Sequence, residues 1–426
     1  MFFLYNLLLT VFTILALPFL LVKVLTTKKY RKGLTQRLGI LPEKELRNIQ
    51  GEGPIWVHAV SVGETIAAIP LVRELRRNYP GKKILVTTVT ATGHQTAKSQ
   101  VKEADAILFF PFDMGWIIKK VLKKIGPSMF ILIETEIWPN CIRFLSRMRV
   151  PILIVNGRIS TASYQGYLRV RFLMKRVLQM IDAFSMQTEE DARRIIAMGA
   201  PSARVRNSGS VKFDHHPNPL KEVEKKSMRE DYLLPAEGRI LVVGSTHQNE
   251  EELLIDTYMS LKKEFSDLSM VLAPRHPERA GEVEELLNRK HLAYQRRSSP
   301  EPGKPVLLLD TVGELSRLYG IGSLSFVGGS LVPTGGHNIL EPAIYGVPVV
   351  FGPHMENFPE ISVVVKERGG GVQVKDSEEL VQVMGDLLRD PEKSHRMGKA
   401  GMRIIQENQG ALKRTLELID TIFSGD

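Results

Sequence analysis

From Gly53 onward, short apolar runs alternate with helix-length amphipathic stretches. The runs at 55–60, 84–88, 106–110, 129–134, 152–156 and 183–187 are apolar at consecutive positions, as are strands buried on both faces of a parallel sheet. Between them the period is helical: Ile66, Ile69, Val72 and Leu75 mark one face of a helix over 66–79. Such alternation predicts an α/β domain whose parallel sheet is covered by helices. At 215–226 the pattern breaks into His-His-Pro-Asn-Pro and then Lys and Glu, which reads as an interdomain linker. It restarts at 240–243, 270–273, 306–309, 324–327 and 347–351, so a second α/β sheet is expected. The stretch 391–423 lacks strand character and reads as helix that packs back across the domain junction. The predicted layout is therefore an N-terminal segment 1–25, a first domain over 40–215 and a second over 226–426. In two such domains facing a cleft, ligands bind outside the C-terminal ends of the strands.

Residues 1–22 carry no charged side chain. As a helix they would reach about 33 Å, the thickness of a bilayer core. Phe2, Phe3 and Tyr5 lie near one end, and Lys23, Lys28, Lys29, Arg31, Lys32 and Arg37 follow with no acid before Glu43. That asymmetry predicts a single-pass anchor with the following chain on the cytoplasmic side. A cleaved signal peptide is the rival, but its basic leading region is missing. A helix lying along the membrane is the third reading.

Composition narrows the function. The chain of 426 residues carries a formal charge of +10, and no basic helix, zinc module or aromatic RNA motif points to nucleic acid. Anionic lipid is the better partner. Cys141 is the one cysteine, so there is no internal disulfide and no zinc spacing.

The unusual residues fall at strand ends. The first run leads into Ser61-Val62-Gly63-Glu64-Thr65, placing Glu64 at a strand-to-helix turn where Gly63 permits a tight backbone. Glu64 could take a proton from an attacking hydroxyl or simply complement the helix dipole. Glu134 and Glu136 follow the fourth run on one side of an extended chain. Glu134 faces the cleft or a hydrogen-bond network beneath it, or is a buried structural carboxylate paired with an arginine such as Arg158. Lys212, in Ser208-Gly209-Ser210-Val211-Lys212-Phe213, lies near the junction, where a cation meets phosphate or is simply solvated.

In the second domain, Gly244-Ser245-Thr246-His247 is a turn of small residues that lets a backbone approach a ligand. Pro274-Arg275-His276-Pro277 puts an arginine just past a strand, placed to grip phosphate. Asp310-Thr311-Val312-Gly313-Glu314-Leu315 combines a glycine with a helix start. Gly328-Gly329-Ser330 and then Gly336-His337-Asn338-Ile339-Leu340-Glu341-Pro342-Ala343 read as a glycine-rich loop opening a helix, whose free N–H groups suit phosphate and whose Glu341 suits ribose hydroxyls. Asn338 with Glu341 is equally a helix-capping pair.

The block from Gly336 to Ala343 resembles the nucleotide-binding signature of GT-B glycosyltransferases. Together with Ser61–Glu64, Glu134–Asn140, Asn156–Ser160, Pro274–His276 and Asp310–Leu315, it resembles the Kdo (3-deoxy-D-manno-octulosonic acid) transferases of Gram-negative bacteria. The likeness covers nearly the whole chain, the N-terminal segment included. It implies a GT-B fold of two Rossmann-like domains, with CMP-Kdo as donor and the phosphorylated glucosamine disaccharide of a lipid A precursor as acceptor. It implies Glu64 as catalytic base, Glu134 and Lys212 as transition-state stabilisers, and Pro274, Arg275, Gly313, Glu314, Leu315, Asn338, Ile339, Leu340 and Glu341 as CMP contacts. The substrate carries a single phosphate, so a cationic site without metal or other cofactor is expected, with inversion in one displacement. The expected location is the cytoplasmic face of the inner membrane. The alternatives are a UDP-sugar transferase or epimerase of the same architecture, and a membrane-tethered protein that holds a nucleotide sugar without turnover.

Overall fold

The computed structural model describes residues 2–26, 31–51, 53–214 and 220–424. The chain divides into two compact units, Met1–His215 with Gln409–Asp426, and His216–Asn408. Each is built on its own parallel sheet.

The first sheet has seven strands: β1 (Ile55–His58), β2 (Ile84–Thr88), β3 (Ala106–Phe109), β4 (Met129–Ile133), β5 (Ile152–Gly157), β6 (Ala183–Met186) and β7 (Val205–Asn207). All pairings are parallel, in the order β3-β2-β1-β4-β5-β6-β7. Alternate residues enter different cores. Trp56, Leu85, Phe130, Ile152 and Ile154 pack on one face, and Ile55, Val57, Ile84, Val86, Met129, Ile131 and Leu153 on the other. With both faces covered, neither set can be polar, which is why the runs read as continuously apolar. The helix Ala411–Ser424 closes the second face, burying Ala411 and Ile419 in that core. Its Thr415 hydroxyl meets that of Ser185 at 2.9 Å. The preceding helix Pro391–Asn408 belongs to the second unit.

The second sheet contains β8 (Ile240–Thr246), β9 (Ser269–Pro274), β10 (Tyr294–Arg296), β11 (Val306–Leu308), β12 (Leu324–Val327), β13 (Val349–Phe351) and β14 (Gly371–Gln373). Its order is β10-β11-β9-β8-β12-β13-β14, again parallel throughout. The doubly wound α/β architecture expected of a GT-B protein is present in both units.

Two expectations are corrected. The apolar pattern gave no sign of β7, β10 or β14, which are three residues each and lie at sheet edges. An edge strand has one hydrogen-bonded neighbour and less to bury, so its apolar signal is weak. The linker over 215–226 is in part a helix, Glu222–Asp231, whose start is tied by Lys221 N donating to Glu224 Oε2 at 2.9 Å. His215 and His216 lie outside the described residues.

The N-terminal segment forms a helix of 25 residues, Phe2–Thr26, with Pro18 inside it. Lys28 and Lys29 of the basic run lie outside the described residues. Among the described residues no helix is long and apolar enough to cross a membrane, so the fold does not support the expected spanning anchor.

The C-terminal helix gives the first test. Ile419 is fully buried, and Ile419→Ala should destabilise the protein by about 2–5 kcal/mol, the cost of a large-to-small core change. Urea denaturation followed by circular dichroism would measure this; an unchanged midpoint would mean that the helix does not seal the first core.

Candidate active site

Each sheet has a central point where the strand order reverses, and at such a point the loops on either side diverge and leave a crevice. In the first unit the reversal lies between β1 and β4. The loop after β1 carries Glu64 and that after β4 carries Glu134 and Glu136.

Glu64 sits in the first turn of the helix Val62–Asn78, capped by Ser61. Its amide donates to Ser61 Oγ at 3.4 Å, while the Ser61 hydroxyl donates to Glu64 Oε1 at 2.9 Å and the Val60 amide to Oε2 at 2.7 Å. The capping role is therefore real, and it fixes the carboxyl in one orientation. Capping alone would favour the anion. Burial works the other way: at 6% exposure desolvation pushes the Glu64 pKa up to about 7, the Val60 amide opposes this, and the charges of Glu134 and Glu136 push it further up. A carboxyl at that value is half ionised near neutral pH, as a general base needs to be. Gly63 lies inside the helix, and a Cβ there would meet only Ser61 Oγ, at 4.0 Å. The backbone does not require glycine, contrary to the expectation of a tight turn.

Glu134 adopts φ 60, a left-handed conformation at a residue with a full side chain. Strain of this kind persists where the surroundings hold it, often at functional sites. The Glu134 amide donates to Val155 O at 2.9 Å, and Lys212 Nζ lies 4.0 Å from Glu134 Oε1. Burial raises the Glu136 pKa and the Glu134 charge adds to the rise. The fold thus brings Glu64, Glu134, Glu136 and Lys212 into one electrostatic group.

Asn156 and Ser210 complete this neighbourhood and were not singled out individually by sequence. Asn156, at φ 56, is the penultimate residue of β5 and accepts from the Val211 amide at 3.1 Å, which positions the turn carrying Lys212. Asn156 Nδ2 and Ser210 Oγ are buried without a hydrogen-bond partner among the described residues, and buried polar atoms seldom stay so. The signal was available: Asn-Gly at a strand end is where a left-handed residue is expected.

In the second unit the order reverses between β8 and β12. Here the glycine-rich loop departs from expectation. The Glu250 carboxylate is fully buried and accepts from the amides of Gly329 at 2.7 Å, Ser330 at 3.1 Å, Leu331 at 2.9 Å and His247 at 3.2 Å. Those N–H groups are thus already committed to a protein anion and are not free for phosphate. The helix that follows, Leu340–Ala343, has only four residues, too short for a substantial dipole. Gly244 likewise serves packing, since a Cβ there would stand 2.0 Å from the Tyr319 hydroxyl.

Among the other positions expected to contact CMP, several lie close together. Pro274 ends β9, buried, and the Arg275 amide donates to Thr246 O at 3.0 Å, which ties the turn to β8. The Arg275 charge acts on both His337 and Glu341. Burial pushes the Glu341 pKa up to about 7 and Arg275 opposes it. His247 Nε2 and His337 Nε2 meet at 2.8 Å, and burial above all holds His337 down at about 3. Asn338 Oδ1 accepts from the Leu340 amide at 3.2 Å, but Ile339 is the N-cap of the short helix and no side chain caps it, so the expected Asn338–Glu341 capping pair does not form. Ile339 and Leu340 are fully buried core residues and could meet a ligand only through their backbone. Gly313 is exposed at φ 94 with open space around it. Glu314 accepts from the Tyr232 hydroxyl at 2.6 Å and from Arg297 Nε at 2.9 Å, and also from the Thr311 hydroxyl. Leu315 packs beside Gly244. Among the described residues no three His, Cys, Asp or Glu side chains gather as metal ligands.

Comparison with known proteins places this arrangement. A family model described as "3-Deoxy-D-manno-octulosonic-acid transferase (kdotransferase)" matches residues 32–215. The 3-deoxy-D-manno-octulosonic acid transferase of Haemophilus influenzae is 34% identical over 98% of this chain and 97% of its own length. The chain belongs to the Kdo transferase family. Another Kdo transferase, from Chlamydia pneumoniae, is 30% identical over 96% of this chain and 94% of its own. The UDP-GlcNAc 2-epimerase of Neisseria meningitidis bound to UDP-GlcNAc, at 14% identity, shares the fold with a TM-score of 0.54 over 86% of this chain and 99% of that one. As a Kdo transferase the protein is a glycosyltransferase of lipopolysaccharide core biosynthesis.

A Kdo transferase that depends on the Glu64 carboxylate should show it in the pH profile. The Glu64 pKa is about 7, and only the ionised form accepts a proton. Below that value kcat/KM should rise about tenfold per pH unit, then level off above it. A profile flat from pH 5 to 8 would exclude Glu64 as the titrating base.

Proposed function

We propose that the enzyme transfers Kdo from CMP-Kdo to the phosphorylated glucosamine disaccharide of a lipid A precursor, by one inverting displacement without a metal. The acceptor hydroxyl oxygen forms a bond to the anomeric carbon of Kdo. The bond from that carbon to the phosphate oxygen breaks, and CMP leaves with the electron pair. Glu64 takes the hydroxyl proton. The observation that carries this reading is the Glu64 carboxyl: buried, oriented by Ser61 and Val60, and raised to about 7 at the reversal point of the first sheet. Lys212 beside Glu134 supplies a cation to the developing negative charge, and Glu134 orients that cation. In the second unit Arg275 offsets the charge of the leaving CMP, and Glu341 accepts the ribose hydroxyls. With burial raising its pKa to about 7, Glu341 also carries less negative charge towards the phosphate than an exposed acid would.

Membrane association at the cytoplasmic face of the inner membrane belongs to the same reading. The acceptor is lipid-borne, the net charge is +10, and the chain begins with an exposed apolar helix that suits an anionic membrane. A protein that only held a nucleotide sugar would have no use for a carboxyl poised at neutral pH, which favours turnover.

Two variants separate the roles. Glu64→Gln keeps the size of the side chain but cannot take a proton, so single-turnover rates should fall about 10²–10⁴-fold with CMP affinity unchanged. Arg275→Ala should instead weaken CMP binding by about 1.5–3 kcal/mol, the worth of a charged hydrogen bond. Single-turnover assays and calorimetry on folded variants give both numbers. A Glu64→Gln enzyme at full rate would refute the base assignment, and unchanged CMP affinity in Arg275→Ala would refute the donor site.

A further inference from the structure

The helix Phe2–Thr26 is fixed to the first unit at its beginning. The Tyr5 hydroxyl donates to Asp113 Oδ2 at 3.0 Å. The amides of Asn6 and Asn140 bond reciprocally, at 3.0 and 2.9 Å. Asp113 is itself held by the backbone amides of Asn140 at 2.9 Å and Cys141 at 2.8 Å. The Arg143 guanidinium lies 4.5 Å from the Phe2 ring centroid. This is a built polar clamp on the first turn.

Beyond the helix, the chain returns to the same loop. Gly33 lies so close to Phe109 that a Cβ would stand 2.0 Å from its ring. The Phe109 amide donates to Gln36 Oε1 at 2.8 Å, and the Phe112 amide to Arg37 O at 2.9 Å. Both ends of the segment between Tyr5 and Arg37 are thus bonded to residues 109–113.

A segment with both ends held on one side of a bilayer crosses it an even number of times. Two crossings are out of reach. After Thr26, only seven residue steps remain before Gly33, spanning at most about 25 Å fully extended, against a core of about 30 Å. An extended return leg would also leave its backbone groups without partners in lipid. Zero crossings remains. Along the helix Phe3, Leu8, Phe12 and Leu15 are exposed by 60–81%, too much apolar surface to leave in water. Two residues after Asp113 begins the helix Gly115–Ile125, with Trp116 63% exposed and with Lys119, Lys120, Lys123 and Lys124. An aromatic residue beside a row of lysines is suited to an anionic lipid headgroup layer.

We propose that the helix Phe2–Thr26 lies in the plane of the membrane within one leaflet, clamped by Asp113 and Asn140, and does not cross the bilayer. The inference rests on the membrane association proposed above and adds its geometry. It also has a consequence for catalysis. Asn140, in the clamp, is six residues from Glu134, so the loop bearing Glu134 and Glu136 is held within about 20 Å of the helix. A lipid-borne sugar would then meet these carboxylates close to the headgroup layer.

Spin-label depth measurement tests this on the full-length protein. Leu4 and Leu15 are both exposed and lie eleven residues apart, about three turns, so they share one face of the helix. Leu4→Cys and Leu15→Cys, each nitroxide-labelled, would be bound to vesicles of phosphatidylethanolamine and phosphatidylglycerol. Cys141 is buried and stays unlabelled. Accessibility to oxygen and to a water-soluble nickel complex then gives the depth of each label. Similar depths for the two labels support the in-plane helix. A difference of about 16 Å, the axial rise between them, overturns it in favour of a crossing. Failure of the protein to sediment with these vesicles would instead overturn the membrane association itself.

Discussion

Parallel strands are joined by crossovers, and the crossover helices cover both faces of the sheet they connect. Almost everything else in this protein follows from that constraint. Once both faces are sealed, the strands are mainly apolar. The few polar side chains within them, such as Ser325 donating to Pro348 O, make internal hydrogen bonds, and polar chemistry gathers at strand ends. Crevices then open where the winding reverses at the centre of each sheet, between β1 and β4 and between β8 and β12. Glu64 and Glu134 stand at the first reversal, and Glu250 with the Gly328–Leu331 loop at the second.

Glu64 and Glu250 make an instructive pair. Each follows the first strand of its unit, is buried, and has its pKa raised by desolvation. Their partners divide them. Glu250 is wrapped by four backbone amides and stitches the turn after β8 to the loop after β12. Glu64 receives one amide and one hydroxyl, and faces the charges of two further carboxylates. A carboxylate saturated with donors is a structural tie. One that is under-supplied and crowded by like charge has a reason to take up a proton.

The same contrast shows what could be read from the sequence. The interior strands were legible because burial on both faces leaves an unbroken apolar run. The three-residue edge strands β7, β10 and β14 were not, because a short strand with one neighbour needs little apolar surface, whereas the longer edge strand β3 still showed as an apolar run. The glycine clusters pointed to the right loops but suggested the wrong use. Gly244 clears space for Tyr319, and the loop at Gly329 is filled by Glu250. A sequence shows that a Cβ is absent, and only the fold shows what occupies its place. The basic, apolar N-terminus pointed to lipid, whereas the clamp at Asp113 and Asn140 depends on pairings more than 100 residues apart.

Lys212 illustrates the limit most clearly. Its own neighbourhood in sequence, Ser-Gly-Ser-Val-Lys-Phe, suggests a mobile cation in a glycine turn. In the structure the turn is braced on two sides. Asn156 accepts from the Val211 amide, and the start of the C-terminal helix reaches back from nearly 200 residues away. Asp214 accepts from the amides of Gly410 and Leu412, and Arg414 donates to Ser208 O at 2.8 and 3.0 Å. The helix Ala411–Ser424 therefore does more than seal an apolar core. It fixes the backbone on both sides of Lys212, so the entropy of ordering that turn is met during folding. The last helix thus does two things for the first unit: it buries Ala411 and Ile419 in the core, and it braces the turn whose Lys212 Nζ lies 4.0 Å from Glu134.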